Sequence, residues 1–220
     1  MTYLDDTVET ARQKIPSVYR MGGKRFFDIV FVLLAAPIIL PVLLLFAVLI
    51  RRDGGAAFYV QPRVGRGGKI FPCLKLRTMS VDAEEALLTL CREDPAIAAE
   101  WRAYQKLIND PRITPIGKFL RATSLDELPQ FWNILVGDMS LIGPRPFMAE
   151  QEALYSPDRS AAYYKLRPGI TGPWQVVARN NSVFAERLAF DEEYYAALSF
   201  VGDMKTVFKT VAVVLGQKGH

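Results

Sequence analysis

From Ile29 to Ile50 the chain carries 22 consecutive residues with no charged or polar side chain. That is enough for roughly 33 Å of helix, the thickness of a bilayer's hydrocarbon core. Such a run belongs in lipid. It is too long for the apolar core of a cleaved leader, 28 residues precede it, and Arg51-Arg52-Asp53 follows without a small-residue cleavage site, so the segment is expected to stay attached. Lys24 and Arg25 stand before the run and Arg51 and Arg52 after it. The positive-inside bias therefore does not separate the two ends, and both are compatible with the cytoplasm. Pro37 and Pro41 each remove a backbone donor in mid-run, which predicts a kink. Two readings stay open: a bent helix that enters and leaves one leaflet, and a kinked helix that spans. Asp28, at the entrance, needs a partner such as Lys24 or Arg25 if it is drawn into the interface.

Composition removes most catalytic classes. The only histidine among 220 residues is His220, so a Ser-His-Asp triad, a Cys-His pair and an HExxH zinc site would each lack their imidazole. Chemistry is left to carboxylates, lysines and hydroxyls. Cys73 and Cys91 are too few for a disulfide framework or a four-ligand metal site, which favours a reducing compartment or indifferent thiols. Half the residues are hydrophobic, which rules out disorder and fits one core with a membrane attachment. A net charge of +4 points towards anions: nucleic acid, acidic lipid or phosphate-bearing substrates.

Residues 1–20 are mixed and polar and carry no readable function. Residues 54–79 place short strand-like pieces such as 57–61 among glycines, with Arg63, Arg66, Lys69, Lys75 and Arg77 forming a basic face. This predicts strand, turn, strand, and a solvated basic loop accounts for it without chemistry. It is not a P-loop, because Arg63 stands where the first glycine should be and Ile70 where Ser or Thr should be. Residues 81–107 read as helix broken at Pro95, with Trp101, Tyr104 and Leu107 at packing positions. From Phe184 onward the tail reads as helix, with Val207, Phe208, Val211, Val214 and Leu215 as an apolar stripe beside Lys205 and Lys209. That stripe suits either the domain or a bilayer surface. The fold class is α/β (α+β), mostly helical with a small sheet. We divide the chain into a polar segment 1–23, a membrane helix 24–53 and a cytoplasmic catalytic domain 54–220.

Thr123-Ser124-Leu125-Asp126-Glu127-Leu128-Pro129 has the spelling of a helix start, with Ser124 as N-cap and Glu127 as its capping-box partner. That structural reading is strong, since capping boxes are common. The same geometry would also serve chemistry, because a helix start keeps a nearby carboxylate ionised and an ionised Asp is a competent nucleophile towards phosphorus. The surroundings favour chemistry. Arg121 precedes the pair, and Gly143-Pro144-Arg145-Pro146 is a rigid turn that fixes one guanidinium. Pro168-Gly169-Ile170-Thr171-Gly172 is a second turn-rich stretch, leading to Gln175 and Arg179. Arginines on loops around one acidic pair suit a diphosphate.

With these residues assembled, the chain resembles the bacterial sugar transferases of the monotopic phosphoglycosyl transferase family, which move a sugar 1-phosphate from a nucleotide diphosphate sugar to a polyprenol phosphate. The resemblance runs from about Lys24 to the carboxyl end. It rests on Lys24-Arg25-Phe26-Phe27-Asp28, Gln61-Pro62-Arg63-Val64-Gly65, Lys75-Leu76-Arg77-Thr78-Met79, Thr123 through Pro129, Gly137 through Pro146, and Arg167 through Gly172. It implies a catalytic dyad at Asp126 and Glu127, phosphate-binding residues at Lys75, Arg121, Arg145 and Arg179, and a further acidic position at Asp191. It also implies a re-entrant membrane helix broken at Pro37, with amphipathic helices at the interface. Where some members place Ser before that proline this chain has Ala36, which bears on the helix and leaves the chemistry alone.

The implied reaction is two-step. Asp126 attacks the sugar-linked phosphorus of a UDP-sugar, UMP leaves, and undecaprenyl phosphate then attacks the phosphosugar–aspartate, as the first membrane step of exopolysaccharide or O-antigen synthesis. Mg²⁺ is the expected cofactor, held by Asp126, Glu127 and Asp191. Galactose or glucose 1-phosphate is the expected group, although the residues do not specify the sugar. Expected partners are the UDP-sugar, undecaprenyl phosphate and membrane lipid at the cytoplasmic face of a bacterial inner membrane. Homodimerisation stays open. Nucleic acid is not expected, since the basic residues alternate with Gly and Pro and offer no stacking platform. Two rivals remain: direct attack of the acceptor with the carboxylates only binding metal, and a non-catalytic membrane-attached module that binds acidic lipid.

Overall fold

The computed structural model describes residues 18–104, 107–155, 161–177 and 186–215. Residues 1–17, Arg179 and His220 lie outside them. After a π-type turn at Tyr19–Gly23 comes α1 (Lys24–Ile50). The predicted strand–turn–strand follows as β1 (Phe58–Val64) and β2 (Ile70–Leu76), antiparallel with Tyr59 opposite Lys75. Next are α2 (Ala83–Glu93) and α3 (Pro95–Tyr104), separated where Pro95 was expected to break the helix. Then come α4 (Pro115–Thr123), α5 (Gln130–Val136), β3 (Ser140–Ile142), α6 (Glu152–Tyr155), α7 (Ala162–Lys165), β4 (Gly169–Thr171) and α8 (Pro173–Val177). The chain closes with α9 (Arg187–Ala196) and α10 (Phe200–Leu215). Helix predominates, and the strands form two two-stranded sheets, β1–β2 and a parallel β3–β4 pair.

The apolar helix is part of the core at both of its ends. Val32, with Phe27 and Phe31 beside it, joins Phe71, Ile134, Met139, Ile142 and Tyr194 in one buried cluster. Ile50, with Leu43, Phe46 and Ala47, joins Leu76 and Leu120 in another. Polar anchors reinforce each end. Lys24 Nζ lies 2.6 Å from the buried Asp203 carboxylate, which also accepts the Tyr194 hydroxyl at 2.8 Å. Arg25 donates to the carbonyls of Ile134 and Leu135 at 2.5 and 2.9 Å, in the last turn of α5, where carbonyls lack a full set of helical donors. At the other end Arg77 bonds the Ile50 carbonyl at 3.2 Å and Asp53 at 2.5 Å. Asp28 was expected to pair with Lys24 or Arg25. Instead it is 1% exposed and accepts the Ser140 hydroxyl at 2.8 Å and the Leu141 N–H at 3.0 Å.

Between those ends Leu33, Leu34, Ile38, Leu40, Leu44, Leu45 and Val48 are more than half exposed. Leaving seven large apolar side chains in water forfeits on the order of 10 kcal/mol of burial, so this face needs an apolar environment. Among the described residues α1 is the one helix long and apolar enough to cross a membrane. The break expected at Pro37 is not present: α1 stays helical through Pro37 and Pro41. The two prolines are four residues apart, so both missing hydrogen bonds fall on one face and the opposite face keeps its ladder. The tail stripe divides, with Val207 packing on the core cluster while Phe208 and Val211 are exposed.

Candidate active site

Thr114 caps α4 by accepting the Gly117 N–H at 3.0 Å, with Pro115 at the first helical position. Gly117 brings α4 against the backbone of Thr78, since a Cβ there would fall 1.9 Å from the Thr78 carbonyl oxygen. Arg121, in the last turn of α4, is thereby set to donate from Nε to Thr78 Oγ1 at 2.9 Å. The helix then stops at Ser124, whose φ of 57° is left-handed. This corrects the expected helix start. Ser124 closes α4 rather than opening the next helix, and its side chain makes no capping bond. Leu125–Glu127 form a 3-10 turn, and Pro129, which has no N–H, delays α5 until Gln130. Two residues beyond a left-handed reversal, the acidic pair projects from a tight turn rather than from the first turn of an α-helix.

Glu127, released from the expected capping role, meets two cations. Lys75 Nζ on β2 is 3.4 Å from its Oε1, and Arg145 Nη2 is 3.3 Å from the same oxygen. Arg145 is placed by a close crossing of two backbones. Gly143 donates to the Thr171 carbonyl at 2.9 Å, and a Cβ on Gly172 would lie 2.1 Å from the Gly143 oxygen. The Arg187 guanidinium bonds the Arg145 carbonyl from below and sits 4.9 Å over the Trp174 ring. Burial, followed by the adjacent Glu127, pushes the Asp126 carboxyl above the usual range, while Lys75 and Arg121 pull it back. Burial lowers Arg121, against the opposing pull of Asp126.

Lys75, Arg121, Asp126, Glu127 and Arg145 therefore open together into one cleft of about 1200 Å³. Its far wall carries Trp101 and the α2 residues Glu84 and Glu85, and Trp174 lines it as well. The α2–α3 wall is tied down by Arg112, whose Nε and Nη2 reach the Asp110 carboxylate at 2.8 and 2.6 Å and whose Nη1 reaches the Ala83 carbonyl at 3.3 Å. Asp191 does not line this cleft. It is buried on α9, accepts the Tyr155 hydroxyl at 2.8 Å, and burial pushes its carboxyl up to about 6. Arg179 lies outside the described residues. Two residues assigned no role from sequence, Arg63 and Gln130, line a small recess that shares Lys75, Glu127 and Arg145 with the cleft. Arg63 was visible in a basic face and in the Gln61–Gly65 motif but drew no role, and Gln130 carries no charge to draw attention.

A divalent ion would find the Asp126 and Glu127 carboxylates in one cleft. Among the described residues no group of three or more His, Cys, Asp or Glu side chains gathers to hold a metal. Two carboxylates completed by water and substrate phosphates is the donor set that suits Mg²⁺. Asp191, committed to Tyr155, is not gathered with them.

The profile of the family described as bacterial sugar transferase matches residues 19–217. The UDP-galactose-lipid carrier transferase of Erwinia amylovora is 46% identical over 196 residues, and the undecaprenyl-phosphate galactose phosphotransferase of Salmonella typhimurium 45% over 197. Each alignment covers 89% of this chain and 41% of the relative, so the chain spans about two fifths of the length of those proteins. The exopolysaccharide production protein ExoY of Rhizobium meliloti is 43% identical over 207 residues, 92% of this chain and 91% of that one. A helix gripped at both ends, an acidic pair on a reversed turn among three cations, and matches of this length place the chain in the bacterial sugar transferase family.

Proposed function

We propose that this protein transfers a hexose 1-phosphate from a UDP-sugar to undecaprenyl phosphate, releasing UMP, in exopolysaccharide or O-antigen synthesis. The observation that carries the reading is the cleft that joins Asp126 and Glu127 to Lys75, Arg121 and Arg145. The names of the relatives, which speak of UDP-galactose, UDP-glucose, undecaprenyl phosphate and exopolysaccharide production, support this substrate class, with galactose or glucose 1-phosphate as the transferred group.

An ionised Asp126 oxygen forms a bond to the sugar-bearing phosphorus, and the bond to the UMP oxygen breaks with its electron pair leaving on UMP. An oxygen of undecaprenyl phosphate then attacks the same phosphorus, and the aspartyl oxygen departs as carboxylate. Lys75, Arg121 and Arg145 hold the charge spread over the phosphoryl oxygens, and Glu127 is kept beside Asp126 by its two cations. Mg²⁺, held by Asp126 and Glu127 with the substrate phosphates, would neutralise part of that charge.

The anchor sets where this happens. A helix of 27 residues is roughly 40 Å long, and its start and its end both pack on the body that carries the cleft. A helix standing across the bilayer would put one of those contacts on the far side. We therefore propose a re-entrant helix, with both ends at the cytoplasmic face of the inner membrane and the site at headgroup depth. Incubation with undecaprenyl phosphate and a panel of UDP-sugars, scored for UMP release, tests the reading. Acceptor-dependent UMP release from UDP-galactose or UDP-glucose supports it, and no release from any UDP-hexose overturns it.

A further inference from the structure

A recess of about 10 Å³ adjoins the Glu127–Arg145 pair. That is the room one water or one ligand oxygen needs. Lys75, Glu127 and Arg145 line both the recess and the cleft, so the two adjoin. Gln130 and Arg63 close its inner end. The Gln130 side chain, which ends in an amide that can both donate and accept, is 2% exposed. Arg63 is fixed by its two terminal nitrogens, Nη1 on the Pro146 carbonyl at 3.3 Å and Nη2 on Gln61 Oε1 at 2.6 Å. Its Nε, which is buried, has no partner.

A buried donor left without an acceptor costs about 1–3 kcal/mol, so Arg63 Nε at the recess calls for an occupant. The charge balance says which kind. Arg63, Arg145 and Lys75 supply three cations against the one carboxylate of Glu127. Burial and the neighbouring Arg145 both weaken the hold of Arg63 on its proton, a strain that an anionic oxygen would relieve. We infer that Arg63 and Gln130 form an inner phosphate subsite that accepts one oxygen of a substrate phosphate, seating the diphosphate beside Asp126. This deepens the proposed function and rests on its assignment of a phosphate substrate to the cleft.

Inorganic pyrophosphate is the probe, with its affinity measured by titration calorimetry on the full chain in lipid nanodiscs. Gln130→Leu removes the amide at similar volume, and Arg63→Lys keeps a positive charge while removing Nε. Each is expected to weaken pyrophosphate binding about ten-fold. Gln130→Glu places a second carboxylate in the recess. It is expected to weaken binding more than Gln130→Leu near pH 8 and to recover as the pH falls and that carboxyl takes up a proton, a response that a packing role would not give. Affinity unchanged in Gln130→Leu and Arg63→Lys, or Gln130→Glu binding as tightly as the parent, means a water pocket only and overturns the inference. Should the variants fail to fold, a structure of the parent with pyrophosphate decides. An oxygen within hydrogen-bond distance of both Gln130 and Arg63 Nε upholds the subsite, and pyrophosphate seated wholly outside the recess overturns it. Pyrophosphate responses that follow this pattern without any UDP-sugar turnover would remove the proposed function and leave the subsite. Turnover with pyrophosphate binding indifferent to both positions would do the reverse.

Discussion

The carboxylate of Asp28, at the start of the membrane helix, accepts the backbone N–H of Leu141 at 3.0 Å. Leu141 lies in β3, four residues before Arg145, so the anchor holds the strand that delivers an arginine to Glu127. Asp28→Ala leaves that N–H and the Ser140 hydroxyl buried without a partner. The expected result is a loss of about 2–4 kcal/mol of stability, read as a lower melting temperature in detergent. Turnover measured well below the melting temperature is also expected to fall, because Arg145 loses its fixed support. Normal stability and turnover in Asp28→Ala would show that the link carries nothing.

Under the proposed mechanism the acidic limb of kcat/KM reports the ionisation of Asp126. A nucleophile must be deprotonated, and burial beside Glu127 raises the carboxyl above its ordinary value, so activity is expected to fall at a pH above the usual carboxylate range. Lys75 is the first of the groups that lower it. Lys75→Met therefore moves the limb to higher pH as well as reducing kcat/KM, and a pH–rate profile measures both. A limb that stays in place separates Lys75 from Asp126.

Asp191 gives stability an opposite slope from the usual paired carboxylate. Its folded value of about 6 stands above its ordinary 3.8. The folded state therefore holds the proton more tightly, and stability falls as the pH rises from about 4 to about 6. The difference is on the order of 3 kcal/mol, fully expressed above the folded value. Asp191→Asn is expected to remove that slope, so its melting temperature gains on the parent as the pH rises through this window. Parallel melting curves would show that Asp191 is ionised as easily in the fold as out of it.

Topology follows from the two gripped ends. In a Cys73→Ala, Cys91→Ser background, single cysteines at Met21 and at Gly54 are expected to react with a membrane-impermeant maleimide from the same, cytoplasmic side of sealed vesicles. Labelling of the two positions from opposite sides would establish a spanning helix.

Much of this arrangement was legible in the residues because local rules produced it. The apolar run dictated a helix long and apolar enough to cross a membrane, Gly and Pro punctuation dictated β1, β2 and the break at Pro95, and the charged groups of the cleft stood in recognisable motifs. The acidic pair was read on the wrong local geometry. Ser124 and Glu127 have the spacing of a capping box, but Thr114 and Pro115 start α4 early enough that Ser124 ends it, and Lys75 and Arg145 outbid the backbone for Glu127. That competition is tertiary and leaves no trace in a seven-residue window. The roles of Arg63 and Asp28 depend on which groups they meet across 83 and 113 positions of chain, and spacing alone does not carry that information.

The central claim is a transient bond between Asp126 and the phosphorus that carries the sugar. Rapid quenching of the protein with its competent UDP-sugar, before acceptor is added, followed by peptide mass spectrometry, tests it directly. The expected result is a hexose-phosphate mass on the peptide containing Asp126, discharged by undecaprenyl phosphate and absent from Asp126→Asn, which is inactive. Proven turnover with that peptide always unmodified, together with residual activity in Asp126→Asn, would contradict the account and leave direct attack by the acceptor in its place.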